Sequence, residues 1–210
     1  MIKGLLSTII LSALFYSCTA QKKQIDTMVN LDNIDTAIIA GGCFWCMDAV
    51  YRRMDGIENV ESGYSNGTVK NPSYREVCTG NTGHAEVVRI SYDTSKTSYA
   101  EILEVFWRVH NPTTLNRQGN DIGTQYRSGI YYETEEQKVI AIASRDAAQE
   151  AKLWEGLIVT EILPLNNYWP AEDYHQDYYK NNPNEGYCQF VVGKKVEIFK
   201  KLFKDKLKDQ

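Results

Sequence analysis

Two thiols lie three residues apart in the run Gly41-Gly42-Cys43-Phe44-Trp45-Cys46. A thiolate is a strong nucleophile and a redox centre, and its surroundings decide how readily it forms. Thr36 to Ala40 reads as a short buried strand, and Phe44, Met47, Val50, Tyr51 and Met54 then recur at helical spacing. Cys43 therefore falls at or beside a helix start, where unpaired N–H groups and the helix dipole favour negative charge and draw a thiol pKa from about 8.5 toward neutrality. The plainer reading is a small apolar residue filling a turn. Two glycines before the thiol and two bulky aromatics after it favour a reactive site.

A reactive thiolate also needs an acid and a pocket. His84 to Tyr92 reads as a strand with His84, Glu86, Val88 and Ile90 on one face. A carboxyl at Glu86 facing an apolar interior would be kept protonated by desolvation, whereas on an edge strand it would face solvent. Phe44 and Trp45 serve equally as core fillers or as walls of a small apolar pocket. Tyr74, Asp121 and Tyr126 lie in or next to polar loops and could supply hydrogen bonds, but fourteen tyrosines make any one of them a weak signal. His84, His110 and His175 could join the cysteines around a metal. A Cys-x-x-Cys without a second matched pair is a weak zinc signal.

These residues need a frame. Val60 to Tyr64 reads as a strand, followed by a turn-rich stretch to Ser73 with Asn66-Gly67 and Asn71-Pro72. Ser98 to Glu101 is a capping box opening a helix that Asn111-Pro112 ends. Asn116 to Gln125 is a polar loop and Tyr126 to Tyr132 a strand. Thr134 to Gln137 caps a helix running to about Trp154, and Ile158 to Leu163 is a further strand. A short tyrosine-rich helix is expected around Glu172 to Lys180 and a strand over Cys188 to Val192. From Lys194 to Gln210 a helix places Val196, Phe199, Phe203 and Leu207 on one face. Strands and helices mixed without regular alternation indicate an α+β domain.

The chain of 210 residues is long enough for one ordinary domain with extensions, and a monomer is expected. A net charge of −4 argues against nucleic acid as a partner. Residues 1–20 read as a signal peptide: Lys3 gives a positive start, and the apolar run Leu5 to Tyr16 is shorter than the about 20 residues of a membrane span. Phe15-Tyr16-Ser17-Cys18 resembles a bacterial lipoprotein box, which makes Cys18 the candidate for lipidation and the lipid the only membrane contact; cleavage after Ala20 is the alternative. Residues 21–33 form a polar tether, 34–193 the catalytic domain and 194–210 a C-terminal helix. The expected location is the periplasm or cell envelope. There, Cys43, Cys46, Cys78 and Cys188 could form structural disulfides, but a domain of this size needs none, which favours a catalytic pair.

Six motifs in order resemble the A class of peptide methionine sulfoxide reductases. They are Gly42-Cys43-Phe44-Trp45, Asn71-Pro-Ser-Tyr74-Arg-Glu-Val-Cys78, Gly83-His-Ala-Glu86-Val-Val, Val105-Phe-Trp107 with His110-Asn-Pro112, Gln118-Gly-Asn-Asp121-Ile-Gly-Thr-Gln125-Tyr126-Arg127-Ser128, and Ala171-Glu-Asp-Tyr-His175-Gln. The resemblance implies a two-layer, ferredoxin-like mixed sheet flanked by helices with long coil segments, and reduction of the S epimer of methionine sulfoxide, free or in oxidised proteins. It implies Cys43 as nucleophile, Glu86 as proton donor, Tyr74 and Tyr126 on the sulfoxide oxygen, Asp121 in support, and Phe44 and Trp45 around the substrate methyl group. Thioredoxin, or a thioredoxin-like periplasmic reductant, is the implied electron donor, and the resemblance implies no metal or organic cofactor. Many members carry resolving cysteines in a glycine-rich tail, whereas Gly186-Tyr187-Cys188 runs here into an apolar, ordered segment. Cys46 meets the Cα separation of about 7 Å that a disulfide needs without tail movement, so it ranks before Cys188 as the resolving thiol. Cys78 is expected to be buried. Two rival classes fit parts of the pattern: a thioredoxin-like dithiol oxidoreductase, which disulfide exchange with insulin would reveal, and a lipid-anchored binding module, for which Cys43 would be dispensable.

Overall fold

A computed structural model describes residues 33–208. The leader, Cys18 and most of the tether lie outside them. The elements follow as β1 (Ile34–Gly41), α1 (Phe44–Tyr51), β2 (Ile57–Ser65), α2 (Tyr74–Cys78), β3 (Ala85–Asp93), α3 (Tyr99–Val109), a small hairpin of β4 (Arg117–Gln118) and β5 (Asp121–Ile122), β6 (Ser128–Tyr132), α4 (Glu135–Glu150), β7 (Glu161–Pro164), β8 (Tyr168–Pro170), α5 (Tyr178–Asn181) and α6 (Gly193–Leu202).

The main sheet runs β7-β6-β1-β3-β2-β8. Its centre, β6-β1-β3-β2 with α1 and α3 as crossovers, has the βαββαβ order of a ferredoxin-like fold, and β7 and β8 extend its two edges. The β2–β3, β1–β6 and β2–β8 pairs are antiparallel and β6–β7 is parallel, so the sheet is mixed. Alternation along the strands divides the interior in two. Ile39, Val60, Val88, Ile90 and Ile130 join α1, α3 and α6 in the large core. Ile38, Ala40, Ala85, Val87 and Tyr131 form a smaller cluster with Leu165 and Tyr168 packed on it.

The Ser98 capping box forms with both of its reciprocal bonds. At Thr134 only half forms, because Gln137 Oε1 accepts from Glu133 N rather than from the cap residue. Helix α4 stops at Glu150, short of Trp154, where Lys152 enters the left-handed region at φ +50°. The strand expected from Ile158 begins only at Glu161.

Three expectations are overturned. Cys188–Val192 is not a strand but a π-helical turn that leads into α6. Cys188, Val192, Val196 and Phe199 are buried at spacings of three and four, a period that a five-residue apolar run cannot display by itself. The tail helix ends at Leu202, after which Phe203 stays buried and Leu207 forms a bridge with Met54. Cys78 is exposed, while its neighbour Val77 is buried. Successive helical residues point about 100° apart, so in a single-turn helix only one of the two can face the core.

Candidate active site

Cys43 is the N-cap of α1. Gly42 before it has φ +85°, and a Cβ there would lie 2.5 Å from Gln118 Cβ, so only glycine fits. Gln118 is held in place by Asn111, accepting from its N–H at 3.0 Å and donating to its carbonyl at 3.1 Å.

Cys43 and Cys46 are both buried free thiols that share a hydrogen bond. Their ionisation belongs to the pair. The first proton leaves readily from Cys46, whose pKa falls to about 7 because the Cys43 S–H stabilises its thiolate; nearby Lys195 and the Tyr187 hydroxyl add to this against the opposing cost of burial. Cys43 is pushed well above the ordinary thiol value, first by burial and then by the bond to Cys46 and the charges of Cys46 and Glu86. The expectation of a depressed pKa at Cys43 is thus corrected. The helix start favours charge there, but desolvation of a residue only 6% exposed outweighs it, and the thiolate settles one turn along.

Glu86 sits on the face of β3 shared with Val88 and Ile90, in a strand flanked by β1 and β2, and is 1% exposed. Phe44 N–H, the first amide of α1, donates to its Oε2 at 3.0 Å. Burial raises its pKa to about 8 against that bond, and the charges of Asp121 and Cys46 push the same way. The carboxyl is therefore neutral at pH 7 and able to give a proton.

The aromatic wall is continuous. Phe44 is fully buried, with ring centroids 5.0 Å from His175, 5.8 Å from Tyr64 and 6.3 Å from Tyr74. Half-buried Trp45 stacks on Tyr178 at 3.7 Å and 7°, and its Nε1 donates to His175 Nδ1 at 3.1 Å. Tyr74 and Tyr126 have their phenol pKa raised by burial and then by the Glu86 charge, so both remain O–H donors beside it. Glu172 ties this wall together, accepting from Tyr64 OH and from Tyr74 N, each at 2.9 Å. Cys188 is buried, and the Cys46 charge contributes to its raised pKa, which places it on the Cys46 side of the pair.

Four contributors escaped the sequence reading: Tyr187, Tyr178, Glu172 and Lys195. The Tyr187 hydroxyl lies 2.6 Å from Asp121 Oδ2 and reaches both sulfurs; its single proton goes to Asp121 while the thiols are neutral and can turn to a sulfur once a thiolate forms. Its only signal in the chain was adjacency to Cys188. Tyr187→Phe is expected to raise the pH at which the pair loses its first proton, read from the ultraviolet absorbance of the thiolate, with the fold unchanged. The three histidines serve separate contacts: His84 Nδ1 accepts from Gly67 N, His110 bridges Phe106 O and Ser128 Oγ, and His175 meets Trp45. Among the described residues, no three metal-ligating side chains converge.

A thiol pair with one labile proton, a neutral carboxyl and two phenols can deliver a sulfur nucleophile and a proton to a small polar oxygen against an apolar wall. Comparison with known proteins agrees with this chemistry. The family model described as peptide methionine sulfoxide reductase matches residues 35–207. The chain is 52% identical over 174 residues to peptide methionine sulfoxide reductase MsrA 1 of Rhodopirellula baltica, covering 83% of this chain and 90% of the relative. It is 51% identical over 176 residues to the MsrA of Saccharolobus solfataricus, covering 83% and 98%. Its fold is similar to that of Mxr1 from Saccharomyces cerevisiae in reduced form, with TM-score 0.69, 34% identity and coverage of 75% and 90%. Methionine sulfoxide reductase A of Corynebacterium diphtheriae gives TM-score 0.65, 36% identity and coverage of 73% and 77%. From strand β1 to the bridge at Leu207, the chain belongs to the peptide methionine sulfoxide reductase family.

Proposed function

We propose that this protein reduces the S epimer of methionine sulfoxide, free and in oxidised proteins, with Cys43 as nucleophile and Glu86 as proton donor. The observation that carries the reading is a neutral Glu86, bound by Phe44 N–H, beside a thiol pair that shares one proton. As Cys43 approaches the sulfoxide sulfur, its proton passes to the Cys46 thiolate. Cys43 Sγ then bonds to the substrate sulfur while Glu86 protonates the oxygen, with the Tyr74 and Tyr126 hydroxyls holding it. The oxygen then moves to Cys43 as its bond to the substrate sulfur and the bond between that sulfur and Cys43 Sγ both break, so thiol plus sulfoxide becomes sulfenic acid plus free thioether, with Cys46 left as a thiol and Glu86 as a carboxylate. Phe44 and Trp45 hold the substrate methyl group.

The sulfenic acid condenses with Cys46, releasing water and leaving a Cys43–Cys46 disulfide; Cys188, buried beside Cys46, stands second. Thioredoxin or a thioredoxin-like dithiol then supplies two electrons and two protons. The test is Cys46→Ser. One equivalent of methionine should still form per protein, but repeated turnover should slow at least about tenfold and sulfenic acid should become trappable. Undiminished turnover would assign resolution to Cys188.

Lys3, the apolar run to Tyr16 and Cys18 support export and anchoring through a lipid on Cys18, with a membrane-relayed periplasmic dithiol as the electron source. Cys18→Ala should move the protein from the membrane fraction to the soluble envelope fraction. If deleting candidate membrane thiol relays left it fully reduced in cells, the relay would be refuted.

A further inference from the structure

A groove of about 1010 Å³ lies at the far end of α1 from Cys43. Six cations line it, Arg52, Arg53, Lys180, Lys200, Lys204 and Lys208, against only two carboxylates, Glu58 and Asp177. That is a marked local excess of positive charge in a chain of net charge −4. Some of the cations are engaged. Arg52 pairs with Asp48 at 2.9 Å, Lys200 with Glu197 at 3.1 Å and Lys180 with Asp177 at 3.5 Å. Among the described residues, Lys204 and Lys208 form no ion pair, and both are exposed. Lys208 has its pKa lowered by partial desolvation of its ammonium, with the charges of Glu58 and Asp55 opposing this and those of Arg52 and Lys96 adding to it. Ile57, Val60 and Leu207 add apolar lining beneath the charges.

The groove adjoins the active site through α5. Tyr178 stacks on Trp45 of the active-site wall, while the next residue, Tyr179, lies under the Arg53 guanidinium at 5.2 Å and lines the groove. From the N-cap at Cys43 to the C-cap at Arg52, α1 is about 13 Å long, a distance that about four extended residues span.

We propose that this groove is a second binding site for protein substrates, taking an acidic segment that begins about four residues from the methionine sulfoxide held at Cys43. The volume is larger than a lone small anion needs and suits several residues of peptide. Apolar lining under a cationic rim fits a chain with carboxylates outward and an apolar side chain inward. The proposal rests on the reductase reading. It makes the enzyme selective among oxidised proteins without altering its chemistry.

The test uses the full chain with dithiothreitol as electron donor and three kinds of substrate: free methionine S-sulfoxide, a peptide with the sulfoxide flanked by serines, and peptides carrying a glutamate run four residues before or after it. One glutamate peptide should show kcat/KM about fivefold above the serine peptide at low ionic strength, and the advantage should vanish in about 0.5 M salt. Lys204→Glu/Lys208→Glu should abolish the advantage by raising KM, with kcat and turnover of the free sulfoxide unchanged. Lys204→Gln/Lys208→Gln, a milder change, should give a smaller rise. Glutamate peptides no better than the serine peptide, or an advantage that survives in both variants, would overturn the proposal. Failure of the wild type to reduce free sulfoxide would instead overturn the reductase reading itself.

Discussion

Cys43→Ser is expected to bring methionine formation down to background, a loss of at least about 10⁴-fold, while leaving the fold intact. Serine is nearly isosteric with cysteine, and Cys43 lies in a turn whose shape is set by Gly42 and Gln118 rather than by the sulfur. What disappears is the sulfur at the helix start, next to the Phe44 amide that holds Glu86. Cys46 remains in this variant but sits one turn further along α1 and is fully buried. It should not substitute. Methionine release and circular dichroism on the same sample separate chemical from structural loss. Cys78→Ser, at an exposed position, is the matching control and should leave turnover unchanged.

Glu86→Gln should lower kcat by about 10²–10⁴-fold, the usual worth of a positioned general acid. The amide retains an oxygen for Phe44 N–H and the same volume, but has no proton to give. The pH dependence of single turnovers carries the sharper signature. In the wild type the rate should rise as the thiol pair loses its first proton near about 7 and fall as Glu86 loses its own near about 8. In Glu86→Gln the falling limb should vanish and the rising limb remain. Stability shifts in the opposite sense to activity. The folded-state pKa of Glu86 lies above the unfolded value, so its contribution to stability is complete below the ordinary carboxyl value of 4.5 and is lost as pH rises through about 8. Glu86→Gln should therefore be more resistant to denaturant than the wild type at pH 7, a gain that acid should erase. Equal stability at both pH values would mean that the carboxyl is not held neutral.

The residues that were legible in advance are those whose signal is local. Gly42, Cys43 and the aromatics after it lie within one strand-to-helix junction, and period-two alternation along β3 sufficed to turn Glu86 inward with Val88 and Ile90. Position in the sheet removed the remaining ambiguity, since β3 lies between β1 and β2 and Glu86 has no solvent face. The distribution of charge between the thiols was not legible. It depends on the bond between the two sulfurs, on burial, and on Lys195 and Tyr187, which arrive from more than a hundred residues away. Tyr178 was hidden for the same reason, in a stretch whose polarity suggested only a short helix, and Glu172 stood in the last of the six motifs with no role attached to it. Cys78 and Cys188–Val192 show the limit of short apolar runs. In each, the direction of a side chain follows from the helix into which the segment is built, and three to five residues do not reveal that period. A Cys-x-x-Cys alone would have suited dithiol exchange equally well; the neutral carboxyl beside it is what calls for an oxygen to protonate.

The most direct measurement mixes the fully reduced, full-length protein with separated S and R epimers of methionine sulfoxide, with no external reductant, then counts the methionine formed and maps the disulfides by mass spectrometry. One methionine per protein from the S epimer, none from the R epimer, and a Cys43–Cys46 disulfide is the result expected. No methionine from the S epimer, or methionine formed while Cys43 stays a free thiol, would contradict Cys43 as the nucleophile of a sulfoxide reductase.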